Sequence, residues 1–182
     1  MNDQLETIKR FKWVDLNDAR SFEKWRGLKL ALTQRVLAQK PVEVSRLNDL
    51  SFVEKKELAL RCETTNFAIY VSPEADSSTV RTGLNKLARD FGLKVAETHR
   101  SAEADGIVQL KPSAEASKRG YIPYSTRPMS WHTDGYYNAP QNRISAMLLH
   151  CGQPANSGGE SQILDPEIVY LKLRETNPDF VR

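Results

Sequence analysis

The spacing of apolar residues along the first half of the chain predicts helices. Between Asp18 and Lys40 the apolar positions recur every three or four residues and so share one helical face: Phe22, Trp25, Leu28, Leu32 and Val36. Asp18 is placed to cap this helix, and Pro41 to end it. We expect the charged residues between the apolar positions to form the solvated face.

Two further helices are predicted from their capping residues. Ser51 and Glu54 form a capping-box pattern, so a second helix should run from there to about Glu63. A third helix should begin at a cap formed by Ser77 or Ser78. Its apolar face would contain four residues: Val80, Leu84, Leu87 and Phe91.

Short apolar runs of strand length alternate with these helices, at residues 67–71, 106–110 and 144–151. Asp165 followed by Pro166 predicts a fourth helix over 167–174, because proline favours the first helical position. A length of 182 residues without a dividing linker suits one domain. Helices mixed with short strands predict an α+β fold class.

Composition excludes several classes of protein. The chain has 26 Lys and Arg against 23 Asp and Glu, and this small excess does not indicate a nucleic-acid partner. No stretch reaches the roughly 20 apolar residues that span a bilayer, and the N-terminus has no secretory signal. Cys62 and Cys151 are too few for a disulfide framework. We therefore expect a soluble cytoplasmic protein without a membrane partner.

The candidate chemistry lies in the sequence Trp131-His132-Thr133-Asp134. On an extended segment, side chains two positions apart lie on the same face, so the imidazole and the carboxylate can reach one metal ion. Two histidines and one carboxylate are the ligand set of non-haem Fe(II) oxygenases. The alternative is a turn in which Asp134 accepts hydrogen bonds from nearby amides.

The surrounding motifs resemble those of the taurine dioxygenase (TauD/TfdA-like) family. The resemblance spans residues 120–173 and is carried by WHTDGYYNAP, ISAMLLHC, GGES and a following helix. It implies an Fe(II)- and 2-oxoglutarate-dependent dioxygenase that hydroxylates a small organic substrate. By the same resemblance, His132 and Asp134 are two iron ligands, and the hydroxyl of Ser161 hydrogen-bonds the co-substrate carboxylate.

The family resemblance also implies the fold, a double-stranded β-helix, or cupin-like jelly roll. We predict an N-terminal helical lead over residues 1–45 and the N-terminal part of a jelly-roll domain over 46–182. An incomplete jelly roll leaves strand edges unpaired. We therefore expect a homo-oligomer, or a partner chain that completes the fold.

The family's distal histidine and its co-substrate arginine have no counterpart in the sequence. The histidines are His99, His132 and His150, and none follows Ser161. We interpret His99 as exposed and His150 as a hydrogen-bonded core histidine. The chain is then part of a longer or split enzyme, or an inactive truncated relative that acts by binding or oligomerising. A third ligand from His99 or His150 is the less favoured alternative.

Aromatic residues surround the candidate ligands. Tyr136 and Tyr137 follow Asp134 directly, and Tyr124 precedes the pair. These three tyrosines either line a substrate cleft or pack against the fold, and the sequence leaves both open. For Trp131 we expect packing in the core.

Overall fold

The computed structural model describes residues 14–96, 105–115, 118 and 120–182. Within these residues, the helices in chain order are α1 (Ala19–Leu37), α2 (Phe52–Thr65), α3 (Ser77–Asp90) and α4 (Pro166–Thr176). Strand β1 (Val42–Glu43) lies between α1 and α2, and strand β2 (Tyr70–Val71) between α2 and α3. Single 3₁₀ turns are formed by Ile122–Tyr124, Pro140–Asn142 and Pro178–Val181. Helices with one small sheet agree with the predicted α+β class.

Helix α1 begins where the sequence predicted. The carboxylate of Asp18 accepts a hydrogen bond from the amide of Ser21 at 2.9 Å, as an N-cap does. The helix ends at Leu37, before the predicted end at Lys40. The amide of Ala38 still bonds to Gln34, but the chain then turns toward β1.

The caps of the next two helices were predicted unequally well. The capping box is present at α2, because Ser51 accepts from the amide of Glu54 and the Glu54 carboxylate accepts from the amide of Ser51. The cap of α3 is Asp76, one position before the predicted serines. Its carboxylate accepts from the amide of Thr79 at 2.8 Å and from the hydroxyl of Ser78 at 2.6 Å. A charged acceptor makes the stronger bonds, so the aspartate takes the capping position.

Strands β1 and β2 form a parallel pair in which Val42 lies opposite Tyr70. The predicted strand over 67–71 therefore exists, but only its last two residues are paired. The prediction that it is buried was wrong, since Ile69 is 52% and Val71 49% exposed.

The other two predicted strands do not form. Residues 106–110 and 144–151 have no strand partner in the part of the chain that the structure describes. In the second run Met147 is 61% and Leu149 52% exposed. Apolar character indicates that a segment prefers burial, but a strand also needs a neighbour to pair with. The described residues accordingly show no jelly roll. None of their helices has the length and apolar character needed to cross a bilayer.

The described residues form two compact units, with 14–45, 50–73 and 162–182 in the first unit. Residues 46–49 and 74–161, except the undescribed ones, form the second. The core of the first unit contains Phe22 and Trp25 of α1 and Leu171 of α4. The division predicted after residue 45 separates a helical lead from the start of a jelly-roll domain, and it does not refer to these compact units. It stays a prediction.

One predicted surface position of α1 is buried. Lys29 is 1% exposed, whereas Leu28, which was expected in the core, is half-exposed. The Lys29 ammonium lies 2.6 Å from a carboxylate oxygen of Asp165 and 2.5 Å from one of Glu167. It also donates to the carbonyl of Thr64 at 2.6 Å. These acceptors provide partners for the ammonium, which makes its burial tolerable.

In the second unit, helix α3 approaches the segment 46–49 closely. A Cβ atom built on Gly83 would lie 2.4 Å from the Cβ of Leu47, which is fully buried. On the same helix, Arg81 donates from two nitrogens to the carboxylate of Asp105, at 2.7 Å each. A bidentate pair of this kind fixes both the position and the orientation of the Asp105 carboxylate against the Arg81 guanidinium.

Candidate functional site

His132 and Asp134 converge within the second unit. The Nε2 atom of His132 lies 3.7 Å from the Oδ1 atom of Asp134. Their side chains are 42% and 46% exposed, so both polar ends are open to solvent and to a ligand. The structure therefore brings the predicted ligand pair together, while its role as a metal site stays a prediction.

A main-chain contact orients the imidazole. The Nδ1 atom of His132 lies 2.9 Å from the carbonyl oxygen of Ser130. A carbonyl only accepts, so Nδ1 carries a proton in this contact, and in the neutral imidazole the lone pair is then on Nε2. Histidines that bind metals are commonly oriented by such a bond from the other ring nitrogen. No sequence pattern predicts this contact, since any residue at position 130 supplies a carbonyl.

The geometry fits two ligands of one metal ion. Nitrogen and carboxylate ligands lie about 2.0–2.2 Å from a first-row metal, so two of them are at most about 4.4 Å apart. The separation of 3.7 Å is below this limit. In the part of the chain that the structure describes, however, no group of three His, Cys, Asp or Glu side chains is close enough to hold a metal. His150 is half-buried, and the prediction for His99 falls outside the described residues.

The loop after Asp134 depends on a glycine that the sequence analysis did not single out. Gly135 has a φ angle of 69°, a conformation that favours glycine. A Cβ atom there would lie 2.8 Å from the side chain of Ile144. The amide of Asn138 closes the turn by donating to the carbonyl of Gly135 at 2.9 Å. Close packing and the turn together fix the backbone beside the ligand pair.

The aromatic residues near the pair differ in exposure. Tyr136 and Tyr137 are 79% and 67% exposed, and their rings meet edge to face with centroids 5.3 Å apart. Tyr124 is buried, and its hydroxyl has no hydrogen-bond partner among the described residues. The expectation that Trp131 packs in the core was wrong, since it is 66% exposed.

Ser161 follows two glycines that both have positive φ angles, 69° at Gly158 and 79° at Gly159. The backbone therefore turns tightly before the serine, as these glycines indicated. Ser161 itself is exposed and forms no hydrogen bond with another described residue. Its predicted contact with a co-substrate stays a prediction.

Comparison with known proteins gives the family. The model of the family described as "Taurine catabolism dioxygenase TauD, TfdA family" matches residues 76–182, which is more than half of the chain. The chain belongs to this family. The resemblance stated from the motifs is thereby confirmed, and it places the chain in a family of Fe(II)- and 2-oxoglutarate-dependent dioxygenases.

Two curated relatives are similar over a shorter segment. The gamma-butyrobetaine dioxygenases of Homo sapiens and Pongo abelii are each 39% identical over 57 residues. That segment covers 31% of this chain and 14% of either relative. The chain thus spans a small part of the length of the curated relatives it matches. No solved structure gives a significant match.

Proposed function

We propose that this protein acts as an Fe(II)- and 2-oxoglutarate-dependent dioxygenase that hydroxylates a small organic substrate. The observation that carries the proposal is the approach of His132 Nε2 and Asp134 Oδ1 to 3.7 Å in a chain of this family. When bound, iron and 2-oxoglutarate would activate O₂, which is the oxidant for the substrate C–H bond.

The chain's own residues hold and orient the reacting groups in this proposal. His132 and Asp134 supply two metal ligands, and the Ser130 carbonyl keeps Nε2 directed at the metal. The hydroxyl of Ser161 donates to a carboxylate of the co-substrate. Tyr136 and Tyr137, both exposed beside the ligand pair, contact the substrate or exclude water from it.

A third ligand and a co-substrate arginine are still needed. Two arginines follow Ser161, and both have partners elsewhere. Arg174 is buried and donates to the Tyr170 hydroxyl and to the Asp15 carbonyl, and Arg182 pairs with Asp179. We propose that a partner chain supplies the missing groups, because a second copy of this sequence lacks the same residues; a homo-oligomer is the alternative assembly. The same partner would complete a jelly roll begun by residues 46–182, with 1–45 as its helical lead.

The substrate class is a small organic acid or amine derivative, which agrees with the name of the human gamma-butyrobetaine dioxygenase. Free thiols at Cys62 and Cys151 favour a reducing compartment, so we place the protein in the cytoplasm.

The alternative function is that of a catalytically inactive relative, which acts as a binding or oligomerising subunit. It is favoured by the lack of a three-ligand group among the described residues. A metal-binding protein without redox chemistry is a third and weaker alternative.

Anaerobic titration with Fe(II) and 2-oxoglutarate separates these functions. The dioxygenase should show the visible charge-transfer band of chelated iron, and Asp134→Ala should abolish the band and bound iron without changing the melting temperature. Asp179→Ala, an exposed aspartate in the last 3₁₀ turn, is the matched control and should keep both. Bound iron without the band would indicate metal binding alone. The absence of both bound iron and the band would indicate the inactive relative. A stable monomer in size-exclusion light scattering would contradict the homo-oligomer.

A further inference from the structure

Glycine follows aspartate at two places in the chain, at Asp105-Gly106 and at Asp134-Gly135. In such a dipeptide the glycine amide nitrogen can attack the carboxyl carbon of the aspartate, because glycine has no side chain to hinder the approach. Both glycines have positive φ angles, 78° at Gly106 and 69° at Gly135. The two sites therefore share their reacting groups and their glycine conformation, and they differ in what surrounds the carboxyl group.

The carboxylate of Asp105 is held in place. Two nitrogens of Arg81 donate to it at 2.7 Å each, and the amide of Ile107 donates to its Oδ1 atom at 3.1 Å. These hydrogen bonds, chiefly those from Arg81, lower the pKa of Asp105. An ionised carboxylate is a poor electrophile, and the bonds also resist the rotation that would bring its carbon onto the nitrogen of Gly106.

The carboxylate of Asp134 has no such restraint. Its contact with His132 Nε2 is 3.7 Å long, which exceeds a hydrogen bond, and no other described residue bonds to it. The side chain is 46% exposed, so water also reaches it. The amide of Gly135 donates to no other described residue. Both reacting groups are thus available to each other at this site.

We propose that Asp134 is a site of spontaneous isoaspartate formation, from which Asp105 is protected. A bond forms between the Gly135 nitrogen and the Cγ atom of Asp134. The nitrogen loses its proton, the carboxyl group loses its hydroxyl, and the two leave as water. Water then adds to either carbonyl carbon of the cyclic succinimide and breaks the bond from that carbon to nitrogen. The ring opens to aspartate or to isoaspartate, with no oxidant or reductant involved.

Isoaspartate alters the pair formed with His132. The main chain then runs through the former side-chain carbon, and the free carboxylate is attached directly to Cα. The carboxylate consequently leaves the position 3.7 Å from the Nε2 atom of His132. That this change removes an iron ligand rests on the proposed function, whereas the isomerisation itself does not.

Incubation of the native full chain in H₂¹⁸O near neutral pH, followed by peptide mass mapping, tests the site. Each succinimide that hydrolyses takes up one ¹⁸O atom, whether aspartate or isoaspartate forms. We expect labelling at Asp134 to be at least fivefold faster than at Asp105 in the same sample. A protease that cuts before aspartate but not before isoaspartate should progressively fail to cut at position 134. In denaturing urea, where the contacts of Arg81 are absent, the two sites should label within twofold of each other.

Two variants test the restraint, and melting temperatures show that each is folded. Arg81→Met releases the Asp105 carboxylate and should accelerate its labelling at least fivefold, without changing that of Asp134. Lys86→Met breaks an ion pair with Asp90 on the same helix and is the matched control, which should alter neither rate. If Arg81→Met does not fold, the comparison of native and urea-denatured wild type decides.

A third variant tests the ring itself. Asp134→Glu makes the cyclic intermediate one atom larger, so labelling at position 134 should disappear while labelling at Asp105 stays unchanged. Persistent labelling at position 134 in this variant would contradict the succinimide.

Two further results would overturn the proposal. The first is equal labelling of Asp134 and Asp105 in the native chain, which would show that holding the carboxylate gives no protection. The second is labelling at Asp134 no faster than at Asp179, an exposed aspartate followed by phenylalanine. Labelling at Asp134 in a chain that binds no iron would support this inference and count against the proposed function alone.

Discussion

The Nζ atom of Lys29 lies 2.6 Å from the Oδ2 atom of Asp165, and the two side chains are only 2% and 4% exposed. The ion pair joins α1 to the residue that caps α4, and the side-chain amide of Asn66 donates to the other carboxylate oxygen at 2.7 Å. Replacing Lys29 with Met leaves the Asp165 charge buried without its cation. We expect a loss of about 3–5 kcal/mol in the free energy of unfolding, measured by urea denaturation.

The same two helices offer a matched control. Arg26 of α1 pairs with Glu175 of α4, and these side chains are 35% and 25% exposed. Arg26→Met removes a pair of the same kind at the surface and should cost much less than Lys29→Met, because solvent screens an exposed pair. Equal losses in the two variants would show that burial does not decide the strength of the Lys29 pair.

Gly83 permits the close approach of α3 to Leu47. Gly83→Ala adds a methyl group 2.4 Å from the Leu47 Cβ and should destabilise the protein by about 1–3 kcal/mol. The control is Gly27→Ala on α1, where no atom lies within 4 Å of the added carbon. That change should stabilise the helix by about 0.5–1 kcal/mol. Thermal unfolding of both variants measures the contrast, and a shift of the same sign in both contradicts the packing argument.

The capping box of α2 should make stability depend on acidic pH. Hydrogen bonds from Ser51, and also from the Ser45 amide, lower the pKa of Glu54 from 4.5 to about 2. A lowered pKa in the folded state stabilises the protein above pH 4.5, and this contribution disappears as the pH falls from 4.5 to 2. Glu54→Gln should thus lose up to about 1 kcal/mol at pH 7 and little at pH 2.

Melting temperatures of wild type and Glu54→Gln between pH 2 and 7 measure this effect. Glu43→Gln is the control, since Glu43 is exposed and forms no hydrogen bond with a described residue. Its difference from wild type should stay constant over the range. A constant difference for Glu54→Gln as well would rule out the charge of Glu54 as the stabilising element.

The Tyr124 hydroxyl is buried without a hydrogen-bond partner in the described part of the chain. Tyr124→Phe removes a hydroxyl that has no partner among the described residues, so we expect unchanged stability or a gain of about 1 kcal/mol. Tyr136→Phe, at a ring that is 79% exposed, should be neutral within about 0.5 kcal/mol. Calorimetric melting compares the two, and a loss above 1 kcal/mol in Tyr124→Phe would reveal a bonding partner.

Local signals explain what the sequence predicted well. A cap and its acceptors lie within three residues, so Asp18, Ser51 and Asp165 marked the helix starts correctly. The convergence of His132 with Asp134 was equally local, because one residue separates them. The motifs around this pair were also sufficient to identify the family.

Long-range partners explain what the sequence did not reveal. Lys29 was assigned to the solvated face because its carboxylate partners lie beyond residue 160, where no pattern connects them with α1. The runs 106–110 and 144–151 have strand composition, but pairing depends on a neighbour that a local pattern does not specify. Trp131 is likewise exposed although tryptophan is highly buried on average.

The parallel pairing of β1 with β2 has a kinetic consequence. Parallel strands need a crossover between them, and α2 provides it. The bonds from Val42 to Ile69 and from Val44 to Val71 therefore join segments that α2 connects along the chain. When α2 opens, both amides lose their acceptors together, so their hydrogen–deuterium exchange rates should report the opening of that helix.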